Sequence, residues 1–357
     1  MHSILNMPDT TILAVDVGGT NISCAIVDFR SGRLTKSFER RYGTRSEPSL
    51  LVPLGRFIEE ASTAKAPRPR LLCVSGAGPV VGRRIRLTNA AWGIDAAELE
   101  NRFGLRTFVI NDFSAIAWGV LLLDPDDSTE LVPLASPGGG VVAPDGDGPL
   151  VVLGAGTGLG FGFVMRDDGM IRVYPSEGGH ISLPVYDDET RALSRWLEDA
   201  YGFAAGVEAG VSGQGIGHIF AFLAARESYP SAAVRHILEA SEQDRPAMVS
   251  KAASEGEPLC LHAMDIFVRL YARFASDAAA MFLPSGGVYL AGGIAAKNIQ
   301  FFVDADRFME SFGKGYREHI RDIAARTPVY IVKDYDISIY GAANAALNLS
   351  LRDGGTR

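Results

Sequence analysis

Cysteine is scarce and scattered in this 357-residue chain: Cys24, Cys73 and Cys260 stand far apart. That excludes both a disulfide framework and a thiolate metal cluster. Basic charge is also short. Lys and Arg number 34 against 42 Asp and Glu, a formal charge of −8, so a broad nucleic-acid surface is not expected, because it needs a clustered basic face. The apolar stretch from Leu150 to Met165 is interrupted by five glycines and Thr157, which argues against a membrane helix. No basic segment followed by an apolar one opens the chain, so no secretory leader is read, and the cytosol is the expected compartment. Two common phosphate signatures are missing as well. There is no GxxxxGK[ST], and neither glycine-rich turn matches GxGxxG followed by a helix.

What is present is enough for a sizeable core. Hydrophobic residues make up 47% of the chain, and its length suggests two domains. The first organised segment, Thr11 to Asp28, is a β-rich run, a Gly18-Gly19-Thr20-Asn21 turn and a second β-rich run. It reads as a hairpin. The same design returns at Leu150 to Val164, around Gly154, Gly156, Thr157 and Gly158. In such turns glycines let backbone N–H groups approach an anion, and a threonine hydroxyl adds one more bond. A single glycine hairpin is usually only a turn. Two matched copies, one beside the acidic strand residue Asp16, point to a paired phosphate site.

Between the hairpins, Phe108 to Gly119 is a β-branched run that stops at Asn111-Asp112 and passes at once into a helix-like segment. The pattern places Asp112 at a strand's carboxyl end, where open α/β folds bind ligands, so it is a candidate acid or base. It could equally cap the helix. Leu87-Thr-Asn-Ala-Ala-Trp92 offers Asn89 and Trp92 either to a cleft or as a loop with a buried indole. Downstream, Glu177 and His180 flank Gly-Gly on a tight turn suited to a ligand with several hydroxyls; as a metal site the pair lacks a third ligand. His262 to Leu283 has the apolar spacing of a long helix, followed by a strand ending at Gly292-Gly293. The bare surface there suits either a flat nucleoside or tight helix packing. A strand at Val329 to Val332 and a helix at Ile337 to Leu351 close the chain, whereas Asp124 to Gly148 reads as loop.

Taken in order, these motifs resemble those of the bacterial-type glucokinases, outside the ROK group, within the hexokinase, actin and Hsp70 ATPase superfamily. The likeness runs from about Ile12 to Ala346. Val15-Asp-Val-Gly-Gly-Thr-Asn21 and Leu153-Gly-Ala-Gly-Thr-Gly-Leu-Gly160 are similar to its two phosphate motifs, Leu87 to Trp92 to its sugar-side loop, and Ile110 to Gly119 to its catalytic segment. Glu177-Gly-Gly-His180 resembles its sugar turn and Tyr289 to Ile294 its adenosine motif. The chain has no cysteine between Cys73 and Cys260, which excludes the zinc motif that ROK sugar kinases carry after that turn.

The resemblance implies an α/β, two-domain actin-like ATPase (ribonuclease H-like) fold, each domain a mixed five-stranded sheet with flanking helices, closing over a cleft. The small domain would be 1–111 with 336–357 and the large one 112–335. It implies ATP- and Mg²⁺-dependent phosphorylation of the glucose 6-hydroxyl, with Asp112 as base and Asp16 holding Mg²⁺ through water. Asn89, Asn111, Asp112, Glu177, His180 and Glu208 would bind the sugar; Asp16, Gly18, Gly19, Thr20, Asn21, Gly154, Gly156, Thr157, Gly158, Gly292 and Gly293 would bind the nucleotide. At Gln214, just after the Glu208 segment, the family usually has proline. Partners would be small molecules and, as the family suggests, a second copy of the chain, with no nucleic acid or membrane. Rival readings are a kinase of another hexose, an actin-like ATP switch, and a sugar-responsive regulator, for which only about ten residues precede the first strand.

Overall fold

The computed structural model describes residues 8–354 apart from 89, 137–139, 168–169, 203, 229, 316 and 335–336. They fall into two compact units: 1–123, 164–175 and 334–357 form the first, and 124–163 with 176–333 the second.

In the first unit the chain lays down β1 (Thr10–Val17), β2 (Asn21–Arg30), β3 (Arg33–Gly43) and β4 (Leu71–Gly76), then a small ribbon of β5 (Val80–Val81), β6 (Arg84–Ile85) and β7 (Ile94–Asp95), and then β8 (Arg106–Asn111). The main sheet has the order β3-β2-β1-β4-β8. β1 runs parallel to β4 and antiparallel to β2, so the sheet is mixed. Both faces are covered, which is why β1 reads as an unbroken apolar run rather than an alternating one. Leu13, Val15 and Val17 pack on one side with Leu54 and Phe57 of the helix Leu51–Thr63. Ile12 and Ala14 pack on the other with Trp118 and the alanine-rich terminal helix Ile337–Gly354.

That terminal helix and the helix Asp112–Val120 meet backbone to backbone. A side chain at Gly341 would place its Cβ 1.8 Å from the Ala115 carbonyl oxygen, and Asn344 Nδ2 donates to the Trp118 carbonyl at 2.8 Å. This contact explains why the helix after Asp112 groups with the first unit, whereas the sequence reading placed a boundary between 111 and 112.

A second sheet is built from β9 (Leu131–Pro133), β10 (Leu150–Ala155), β11 (Leu159–Asp167), β12 (Met170–Ser176), β13 (Gly287–Ala291) and β14 (Val329–Val332), of which the end of β11 and nearly all of β12 fall in the 164–175 segment grouped with the first unit. Its order is β12-β11-β10-β13-β14-β9. The expected five strands are therefore six. The additional edge strand comes from 124–148, read as loop from its Pro, Gly and Asp content; its three residues pair antiparallel with β14 because Leu131 is fully buried. The helix Pro258–Phe282 lies at the heart of the second unit's core, and its fully buried Tyr271 donates from its hydroxyl to the Leu153 carbonyl in β10 at 3.1 Å. Among the described residues, no helix is long and apolar enough to cross a membrane.

Candidate active site

The parallel register of the first unit assembles its acidic groups. Asp16 stands opposite Ser75 across β1 and β4, and Gly76 stands opposite Asn111 across β4 and β8. Three strands thus end together, with Asp16 and the Asn111-Asp112 pair at their carboxyl ends. Both oxygens of Asp16 are engaged: Ser75 Oγ donates to Oδ1 at 2.7 Å and Ser338 Oγ to Oδ2 at 3.0 Å. Burial raises the pKa of Asp16, and the two serine donors work against that rise without cancelling it.

Asn111, not Asp112, caps the helix. Its Oδ1 accepts from the backbone N–H of Phe113 at 2.9 Å and of Ser114 at 3.2 Å, and its Nδ2 donates to the Gly78 carbonyl at 3.2 Å. Its amide is thus largely committed to the fold, and its side chain also interacts with the Asp112 carboxylate. Asp112 occupies the first helical position, and its Oδ1 accepts from the Phe113 N–H at 2.9 Å. Burial raises the Asp112 pKa, that N–H lowers it, and the charge of Asp16 raises it again, for a net rise. A carboxylate held above its ordinary range at a strand end is suited to accept a proton.

The first glycine turn is braced from the end of β3. Buried Thr44 donates from Oγ1 to the Gly18 carbonyl at 2.7 Å and from its N–H to the Thr20 carbonyl at 2.9 Å. Gly18 itself does not take up a left-handed φ, so its lack of a side chain, rather than conformational freedom, is what the turn uses. Gly18, Thr20 and Asn21 are exposed. Asn89 lies outside the described residues. Nearby, the Trp92 indole N–H donates to the Glu47 carbonyl at 3.0 Å, which anchors this half-buried side chain within the unit.

The second unit gathers its predicted residues around the carboxyl end of β10. Gly156 donates from its N–H to the Gly158 carbonyl and accepts from the Gly213 N–H, each at 2.8 Å, and nothing lies within 4 Å of where its Cβ would be. Glu208 locks the turn: its Oε2 accepts from the Leu159 N–H at 2.7 Å, and a Cβ on Gly158 would lie 2.6 Å from that oxygen. The Glu177/His180 turn is packed onto the same place. A Cβ on Gly179 would meet the Leu159 carbonyl at 2.2 Å, and Val207 N–H donates to the Ile181 carbonyl at 2.8 Å. The two polar side chains remain open, with 66% of His180 and 85% of Glu177 exposed and His180 Nε2 3.6 Å from Glu177 Oε2.

The departure at Gln214 does not displace Glu208. Ser212 Oγ donates to the Glu208 carbonyl at 2.8 Å and caps the helix Gly213–Ala224 through the Gly215 N–H, while Gln214 is exposed in the first turn, where proline is also tolerated. Gly292 has φ +91°, and its Cβ would fall 2.6 Å from the Ala155 carbonyl. Close packing onto β10 therefore accounts for this glycine.

Three residues that brace the site were missed from the sequence: Ser75, Ser338 and Thr44. Ser75 carried a weak signal, a serine at the end of an apolar strand. Ser338 acts on Asp16 from 322 positions away, and no local pattern marks such a pairing. Asp16 alone could suit a hydrated divalent ion. Each oxygen accepts one hydroxyl and has a further lone pair, and Mg²⁺ is commonly held by one or two carboxylates and water. Among the described residues no group of three or more His, Cys, Asp or Glu could cage a metal.

Comparison with known proteins covers nearly the same span. A family model described as Glucokinase matches residues 13–349. The glucokinase of Nostoc sp. (strain PCC 7120) is 31% identical over 354 residues, covering 95% of this chain and 100% of the relative. That of Synechocystis sp. is 33% identical, covering 94% and 97%. Among solved structures, a glucokinase from an Antarctic psychrotroph superposes with a TM-score of 0.79 at 26% identity, covering 95% of this chain and 99% of that one. A ROK family glucokinase from Streptomyces griseus, solved with glucose and AMPPNP, shares the fold with a TM-score of 0.62 at 20% identity, covering 94% and 99%.

Proposed function

The chain belongs to the glucokinase family, phosphotransferases that move the γ-phosphoryl group of ATP to glucose, and from that premise we propose how its own residues divide the work. Asp112 accepts the proton of the sugar 6-hydroxyl. The observation that carries this assignment is that Asn111 takes over helix capping, so Asp112, with its raised pKa, is not needed as the cap. In a loose phosphoryl transfer such a base orients the nucleophile and receives the proton late, a contribution of about 10²–10⁴ in rate.

The exposed Glu177 and His180 side chains bind sugar hydroxyls, and Asn111 is assigned beside them by the family resemblance. Asn89 is assigned to the sugar by the family resemblance alone. Glu208 serves both sides of the site, since one of its oxygens fixes the second glycine turn and the other is available to a hydroxyl. Gly18, Gly19, Thr20 and Asn21 in one unit, and Gly154, Gly156, Thr157 and Gly158 in the other, offer N–H and hydroxyl donors to the phosphates. Gly292 and Gly293 are assigned to the adenosine by the family resemblance. Mg²⁺ would neutralise charge on the β- and γ-phosphates, and Asp16, oriented by Ser75 and Ser338, would hold it through water. A cytosolic homodimer is the expected form, to be checked by fractionation and sedimentation.

The test is a coupled ADP assay with glucose, mannose and glucosamine, run beside calorimetric titration of glucose with and without nucleotide. Turnover with glucose and saturable glucose binding are expected. Nucleotide binding with neither of these would instead identify an ATP switch.

A further inference from the structure

The two glycine turns are held in the same way by different chemical groups. In each, the first residue after the strand donates its N–H within the turn, Gly18 to the Asn21 carbonyl at 2.9 Å and Gly156 to the Gly158 carbonyl at 2.8 Å. In each, the carbonyl of that same residue is held from outside the turn. The Gly156 carbonyl accepts from the Gly213 N–H at 2.8 Å, a backbone group at the start of the helix Gly213–Ala224. The Gly18 carbonyl accepts from a side chain instead, Thr44 Oγ1 at 2.7 Å.

A trans peptide is planar, with its C=O and N–H pointing to opposite sides. Holding the Gly18 carbonyl therefore fixes the next N–H, that of Gly19, on the side away from Thr44. The Gly213 contact does the same for the N–H of Thr157. Among the described residues nothing accepts from either of these two N–H groups. Donors with a fixed direction and no internal acceptor are what an anion-binding turn offers.

The Thr44 hydroxyl is presented from a firm base. Thr44 is 2% exposed and its own N–H donates to the Thr20 carbonyl at 2.9 Å. It opens a single helical turn, Thr44–Ser46, closed by Glu47. The Glu47 carboxylate pairs with Arg56 of the helix Leu51–Thr63 at 3.2 Å, and its carbonyl accepts the Trp92 indole N–H. The hydroxyl is thus ordered before any ligand arrives, which spares the cost of ordering it on binding.

We propose that Thr44 is a positioning residue for the nucleotide: by holding the Gly18 carbonyl, its hydroxyl aims the Gly19 N–H at a phosphate of ATP. The inference rests on the assignment of this turn to the phosphates. The second turn needs no such side chain, because the Gly213 backbone does the same work there.

The experiment compares Thr44→Val, which removes the hydroxyl but keeps the β-branched shape and the Thr44 N–H, with Thr44→Ser, which keeps the hydroxyl. Calorimetric titrations with ATP and with adenosine are run beside steady-state kinetics. In Thr44→Val the ATP affinity should weaken and the KM for ATP rise by about 3- to 30-fold, the effect of leaving one carbonyl unheld. Adenosine affinity and the KM for glucose should move less than about twofold, the spread of indirect effects. Thr44→Ser should return ATP to within about threefold of the parent. Unchanged ATP affinity in Thr44→Val, an equal loss for adenosine, or no recovery in Thr44→Ser would overturn the proposal. If Thr44→Val melts far below the parent, Thr44→Cys, similar in size and only a weak donor, is read in its place against the same limits. A parent protein that binds no ATP would overturn the assignment of the turn together with this inference. A parent that binds ATP, with Thr44→Val unchanged, would overturn this inference alone.

Discussion

The two units prepare their polar groups in opposite ways. In the first, Asp16 and Asp112 are taken out of water, held by short bonds from Ser75, Ser338 and Phe113, and pushed above the ordinary carboxylate range. In the second, Glu177 and His180 stand on a turn whose backbone is rigidly packed while their side chains stay largely in solvent. Desolvation changes a group's proton affinity and costs stability. Exposure leaves a side chain ready to exchange water for a hydroxyl. The first arrangement suits a reacting group and the second a binding group.

The sharpest way to break this comparison is to neutralise the reacting group without changing its shape. Asp112→Asn should lower turnover by at least ~10² while glucose affinity stays within about tenfold, since an amide can fill the same space but cannot take the proton. Steady-state kinetics with calorimetry of glucose binding decides it. A variant keeping a tenth of the parent turnover would remove Asp112 from the base role.

A smaller effect of another kind is expected from the exposed turn. Glu177→Ala and His180→Ala should each raise the glucose KM by roughly 5- to 100-fold, the loss of one or two hydrogen bonds to a sugar. The KM for ATP should move less than about threefold, the spread that indirect effects give. Equal losses for both substrates would mean that the turn supports the nucleotide side through its packing on Leu159.

The pH profile then tests whether the two buried acids act as a pair. Activity needs both ionised, so kcat should fall with decreasing pH at a value above the ordinary carboxylate range of about 4. Ser338→Ala removes a donor that favours the ionised form of Asp16, so the acid limb should move further up while turnover at its plateau changes by less than about tenfold. An unmoved limb would separate Asp16 from the proton chemistry.

Much of this was legible in the sequence, and what was not shares one physical cause. β14 was readable to the residue because Val329 to Val332 is a compact apolar run, and the glycine turns were readable because two copies share one design. The capping of the helix by Asn111 instead of Asp112 was not, since adjacent Asx residues give the same local signal and only the chain's direction on entering the helix decides between them. Nor were the bonds from Ser75 and Ser338 to Asp16, or the brace from Thr44 to Gly18, because each depends on strand or helix neighbours that local periodicity does not specify. The edge strand β9 was hidden for a related reason: three residues are too few to show alternation, and they are strand only because β14 offers them an open edge. The family resemblance put the domain boundary in front of the helix at Asp112, whereas that helix groups with the first unit, where it meets the terminal helix at Gly341.

The smallest expected effect concerns stability, and it sets Asp112 against an acid whose shift has the opposite sign. Asp187, at the start of the helix Asp188–Tyr201, feels burial, but the backbone and hydroxyl donors of Thr190 and the charge of Arg269 outweigh it and lower its pKa. For Asp187 the folded state prefers the ionised form. Its contribution is present above the unfolded pKa and is lost as pH falls through the folded value. For Asp112 the folded state binds the proton more tightly than the unfolded chain. Stability therefore declines as pH rises from the unfolded value to the folded one and remains lower at neutral pH, where the Phe113 N–H only partly offsets the cost of the buried charge. It follows that Asp112→Asn, which abolishes the charge and not the shape, should raise the melting temperature at neutral pH by about 1–2 °C, the shift that ~1 kcal/mol gives in a chain of this size. Asp187→Asn should lower it, through the weakened capping box and the loss of the Arg269 pair. Thermal scans from about pH 4 to pH 8 should show the Asp112→Asn gain shrinking as the parent's carboxyl becomes protonated. An Asp112→Asn protein that melts at or below the parent across that range would mean the carboxylate is compensated in the fold, and the contrast between a costly reacting acid and an ordinary binding turn would fail at its first member.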